Sequence, residues 1–136
     1  SSQSRGLGDV YKRQVYDNLG MQDEAVDAYT KSLGIKADYF DANYNLGALY
    51  FNKAVQMVNE ANDMWKPRMS KDEATKQKEL EDGGKAMFST ALPYLEKALD
   101  VEPEDRETLR SLRDIYARVG MDEKMLEVSA KLKTLE

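Results

Sequence analysis

Carboxylates are the most abundant groups in this sequence that could carry chemistry. The 136 residues hold 25 Asp and Glu against 20 Lys and Arg, a formal net charge of −5. Some stand close together, Glu79 with Glu81 and Asp82, or Glu102 with Glu104 and Asp105. A catalytic pair needs a concave, partly dry site that drives its two pKa values apart. These carboxylates fall on polar helix faces or at a helix end, so they read as solvated surface. Cys and His are absent. That removes thiolate nucleophiles, Cys/His zinc sites and every mechanism that leans on imidazole, and it leaves no disulfide clue to compartment. Gly83-Gly84 lacks the strand-to-helix context and the Lys-Ser/Thr pair of a phosphate loop. Met57, Met64, Met69 and Met87 suit a core that needs soft, adaptable filling. The expectation is therefore no catalytic, cofactor-binding or metal-ligating residue, and no enzyme. Nucleic acid is not an expected partner, because no block of Lys and Arg is present to neutralise phosphates. No apolar run approaches the ~20 residues of a membrane-spanning helix.

What must position these residues is a set of helices. Ala91–Asp105, ALPYLEKALDVEPED, carries apolar residues at helical spacing (Ala91, Leu92, Leu95, Ala98, Leu99), then Val101. It stops at Pro103, whose fixed φ and missing N–H discourage further helix. A second helix-like run begins at once. The spacing recurs along the chain. Tyr16 to Tyr50 is 34 residues, as is Ala91 to Met125. Tyr50 to Tyr116, Leu46 to Leu112 and Ala25 to Ala91 are each 66, and Gly20-Met21 returns as Gly120-Met121 after 100. Independent markers agree on one enlarged interval, so the middle repeat carries an insertion of about 32 residues.

A small residue, a bulky one four later, a small one three after that and proline five beyond resembles the second helix of a tetratricopeptide repeat. Asp41–Tyr50, DANYNLGALY, is similar to the first helix of that family, with Leu46, Gly47 and Tyr50 in its pattern positions and Asn43 where a large aromatic is usual. The resemblance implies an all-α fold, an α-solenoid of about three helix pairs with the middle pair elongated. Asn43 in place of the aromatic predicts a small hole, or a water, in the packing.

Four segments follow. Residues 1–14 are set apart, because Asp9–Gln14, DVYKRQ, resembles the in-frame translation of a transposase end sequence used to tag DNA. Residues 15–39 form a first, truncated repeat with helices about Val10–Leu19 and Gln22–Gly34, Gly20 making the turn and Gly34 ending the second helix because Ala37 replaces the usual proline. Residues 40–105 form the enlarged repeat, a long antiparallel hairpin of about Phe40–Met64 and Lys71–Val101. Its turn spans Trp65–Ser70, Ser70 and Glu73 form a capping box, and a kink is expected at Gly83-Gly84. The hairpin should project ~16 Å beyond an ordinary repeat. Residues 106–136 form a worn last repeat, with Arg113 at the close-approach glycine position and a final helix, about Asp122–Leu135, apolar on more than one face.

In the family the first helices of successive repeats line a concave groove. Carried onto this chain, that stripe offers Tyr44, Ala48, Phe51 and Asn52, then Arg110, Asp114 and Arg118. Aromatics beside arginines suit a peptide, since Arg grips a carboxylate at two points. An equal alternative is that Tyr44 and Phe51 only pack against their neighbours. One variant of the family clamps the C-terminal carboxylate of chaperones. Asn45 matches one clamp residue, but Glu107 stands at a clamp lysine and Ser111 at its arginine, so no chaperone tail should bind. The expected function is a non-catalytic scaffold that binds a protein or peptide through the groove, the hairpin or both. The alternative is the accessory region of a larger enzyme or regulator whose active domain lies upstream. Self-association through open repeat ends is a further expectation. Enlarged repeats of this style resemble those of bacterial envelope-associated proteins, which leans the setting towards the periplasm or envelope, with the cytoplasm next.

Overall fold

Helical periodicity in the sequence becomes helix, and side-chain caps mark where two of the helices start. The computed structural model describes residues 23–136, and among them it holds five helices and no strand. These are α1 (Asp23–Ile35), α2 (Phe40–Asp63), α3 (Lys71–Val101), α4 (Arg106–Val119) and α5 (Asp122–Thr134). The helix anticipated near Val10–Leu19, the Gly20 turn, Tyr16 and the adaptor-like tail lie outside the described residues.

Caps explain the boundaries of α3 and α4, whereas α2 and α5 start without a side-chain cap. Ser70 Oγ accepts from Glu73 N at 3.1 Å, and Glu73 Oε1 accepts from Ser70 N at 3.0 Å, closing the capping box that starts α3. Asp105 Oδ2 accepts from both Thr108 N (2.9 Å) and Thr108 Oγ1 (2.7 Å), satisfying a hydroxyl that is fully buried at the start of α4. Gly120 ends α4 at φ 78°, a left-handed conformation that side chains resist, and Met121 N returns to Tyr116 O at 2.8 Å.

Each helix packs chiefly on its neighbours in sequence, as a stack of helix pairs requires. The α2/α3 pair is the largest contact. Leu46, Tyr50, Ala54, Met57 and Ala61 of α2 are buried against Gly84, Met87, Phe88, Ala91, Leu95 and Ala98 of α3. Leu109, Leu112, Ile115 and Tyr116 of α4 and Val128 of α5 continue the same core. Tyr50 stacks on Tyr94 at 5.9 Å, and the Tyr116 hydroxyl donates to Glu96 Oε2 at 2.9 Å, tying α4 to α3. A Cβ built on Gly47 would lie 2.6 Å from Leu95 Cγ and Cδ2, so glycine there sets how closely α2 and α3 approach.

Four expectations need correction. Helix α1 runs through Gly34 to Ile35, because Gly34 keeps an ordinary helical φ and Lys36 N still reaches Ser32 O at 2.8 Å. Asn43 leaves no hole: it is buried, and its Nδ2 donates to Ala37 O and Tyr39 O, both at 3.0 Å, so the amide ties the α1–α2 turn to α2. Helix α3 passes unbroken through Gly83-Gly84. Gly84 faces α2, where a Cβ would lie 2.9 Å from Val58 Cγ2 and 3.3 Å from Ala54 O, so its use is close approach. In α5 the second apolar face reduces to Leu126, 62% exposed, since Met125, Val128 and Leu132 all turn to the core. Pro93, not weighed in the sequence, sits exposed inside α3, where its ring leaves the Ser89 carbonyl without a helical donor.

A candidate partner-binding groove

Two first helices, α2 and α4, supply the side chains that could meet a partner, and Phe88 of α3 joins them. Phe51 of α2 meets the Phe88 ring edge-on, with centroids 5.5 Å apart and planes at 74°. The Arg118 guanidinium of α4 lies over the same ring, 5.0 Å from its centroid. A cation held on a ring face gains from the aromatic quadrupole and loses rotamer freedom before any ligand arrives. Phe51 is half-buried and Arg118 exposed, so the cluster has a buried floor and an accessible rim.

Tyr44 lies further down the stripe. It stacks on Phe40 at 5.8 Å and 8°, and it is half-buried. Burial raises its hydroxyl pKa, and the charges of Glu107 and Asp105 raise it further, so α2 and α4 face one another electrostatically here. Glu107 is ion-paired with Arg110, which spends part of Arg110's charge inside the protein. Arg110 also lines a cleft of about 320 Å³ with Arg106, Arg113, Leu132, Leu135 and Glu136, on the side of α4 that meets α5. Of the anticipated residues, then, Phe51 and Arg118 come together directly on Phe88, and Tyr44 and Arg110 are linked through Glu107. Ala48 is half-buried and Asn52 and Asp114 are exposed, and no hydrogen bond or ion pair joins them to the others among the described residues.

Phe88 itself was missed. Helical spacing marks it as core, and it is 1% exposed; nothing in the pattern says that one ring face also carries the Arg118 guanidinium. Lys53 is a second surprise, a cation buried on α2 whose pKa is lowered by burial, with Glu60 opposing that shift. At the clamp positions Asn45 and Ser111 are half-buried, and Glu107 is ion-paired with Arg110. Among the described residues no group of His, Cys, Asp or Glu is arranged to hold a metal ion, and no helix is long and apolar enough to cross a membrane.

A family model described as tetratricopeptide repeat matches residues 14–39. The matched segment contains α1 and ends at the residue before α2. No curated protein matches the chain.

Proposed function

We propose, from the premise that this chain is a tetratricopeptide repeat protein, that it is a non-catalytic scaffold holding a peptide or protein segment in the groove between α2 and α4. Repeats of this family generally mediate protein–protein interaction. The observation that supports this groove is the Arg118–Phe88–Phe51 cluster, a fixed guanidinium beside an apolar floor. Such a cluster suits a segment with a carboxylate next to a bulky apolar side chain, the first on Arg118 and the second against Phe51 and Ala48. Asp114, between Arg110 and Arg118 on α4, disfavours a uniformly acidic ligand and so limits the carboxylates to one or two.

Selection from a displayed peptide library against the full chain tests the reading. Recovered peptides should share a carboxylate–apolar pair. Arg118→Glu should weaken their binding by at least ten-fold, as expected when a charge-assisted contact becomes repulsive. Peptides without such a pair, or binding indifferent to both Arg118→Glu and Phe51→Ala, would contradict it. A chaperone-tail peptide serves as the negative control.

A further inference from the structure

The far end of the α2/α3 hairpin presents Trp65, the single tryptophan of the chain, 67% exposed. The side chain is exposed but its backbone is not loose. Trp65 N donates to Asn62 O at 3.1 Å, and Lys66 Nζ sits 2.6 Å from Glu73 Oε2, whose other oxygen closes the Ser70 capping box. The turn is therefore fastened to both helices, and the indole is held out from it. Around it stand Met64 and Met69, half-buried, and the exposed Pro67, Arg68 and Lys71.

Charge sorts the molecule in the same direction. Residues 64–71, MWKPRMSK, contain three cations and no carboxylate. Residues 60–78 hold five cations and four carboxylates, while the remainder holds fifteen and twenty-one. Lys66 spends its charge on Glu73, whereas Arg68 and Lys71 make no ion pair among the described residues. An anionic surface thus repels the body and accepts this end first, with Asp63 and Asp72 set one position behind the turn at the helix ends.

Size decides between occupants. A specific protein interface uses about 800 Å² and 20–30 residues on each side, and the convex end of a two-helix hairpin offers a seven-residue turn. A lipid surface asks for less: an indole at headgroup depth and cations that extend to phosphates. We propose that the hairpin tip is a docking point for an anionic lipid surface, with Trp65 in the headgroup layer and Arg68 and Lys71 against lipid phosphates. The contact is peripheral and independent of the groove.

Because Trp65 is the single indole, its fluorescence reports the tip directly. The full chain is mixed with vesicles of phosphatidylglycerol and phosphatidylcholine, and separately with phosphatidylcholine alone. The expected result is a blue shift and co-sedimentation with the anionic vesicles only, reversed by salt. Arg68→Gln and Lys71→Gln should each weaken binding about five-fold, and Trp65→Ala should abolish sedimentation with helical content unchanged. No binding to anionic vesicles at millimolar lipid overturns the proposal, as does equal binding to neutral vesicles or indifference to all three substitutions. A blue shift that grows with protein concentration without vesicles makes a second copy of the chain the occupant and also overturns it. None of these outcomes bears on groove binding.

Discussion

The two ends of α3 are one continuous helix held in two different ways. From Gly84 to Ala98 it is buried at Gly84, Met87, Phe88, Ala91, Leu95 and Ala98, against α2 on one side and α4 beyond. From Lys71 to Gly83 none of its residues is buried. There the helix is held by Leu80, half-buried against the core, by its capping box, by the Lys66–Glu73 pair and by Gln77 Nε2 donating to Ala61 O at 2.9 Å. Packing at the root is worth several kcal/mol per large side chain, whereas polar ties near solvent are screened and contribute far less. The root is consequently the rigid place on which a groove can be built, and the outer end is a projection that can open without unfolding the body.

The largest break in this contrast should come from Phe88→Ala. Truncating a fully buried ring typically costs about 3–5 kcal/mol, and here it also frees Arg118. Thermal unfolding should fall by many degrees and the groove should lose its ligand even where the chain still folds. Gly47→Ala comes next. The added carbon meets Leu95 at its branch point, and overpacking of about 1–3 kcal/mol outweighs the ~1 kcal/mol that alanine gains in helix propensity. A denaturation midpoint at or above wild type would show that α2 and α3 have room to separate.

How much of this was legible in advance follows the same division. The root could be read because its signal is periodic: Leu46, Tyr50, Ala91 and Leu95 stand at family spacing and are buried where that spacing puts them. The hairpin's two arms came out within one residue, since Ser70, Glu73 and Pro103 are local punctuation. What could not be read depends on contacts between helices. Gly84 looks like a helix breaker in sequence, but against Val58 and Ala54 it is a point of close approach. Asn43 looks like a missing aromatic until its amide meets the carbonyls of a turn. The groove stripe was placed by resemblance, and only the geometry shows that Phe51 and Arg118 share one ring and that Arg110 turns partly towards α5.

Smaller effects sharpen the outer end. Ser70→Ala removes the cap of α3 and should cost about 1 kcal/mol, felt as faster local opening of Lys71–Gln77 with the global midpoint nearly unmoved. Acid should do the same more weakly. Hydrogen bonding to Lys66 and then to Ser70 holds the Glu73 carboxyl down to about 2, below its ordinary 4.5. A depressed carboxyl stabilises the fold above its unfolded pKa and loses that contribution as pH falls through the folded value. The tip should therefore loosen between roughly pH 4.5 and 2, and Glu73→Gln should remove that pH dependence.

Amide hydrogen exchange along α3, read by mass spectrometry on overlapping peptides, tests the account most directly. Residues 87–99 should exchange only through global unfolding, and residues 71–83 should exchange orders of magnitude faster through local opening, with the root unchanged by Ser70→Ala. Equal protection along the whole helix, or a root that exchanges as fast as the tip, would contradict a rigid stacked body carrying a separately held projection.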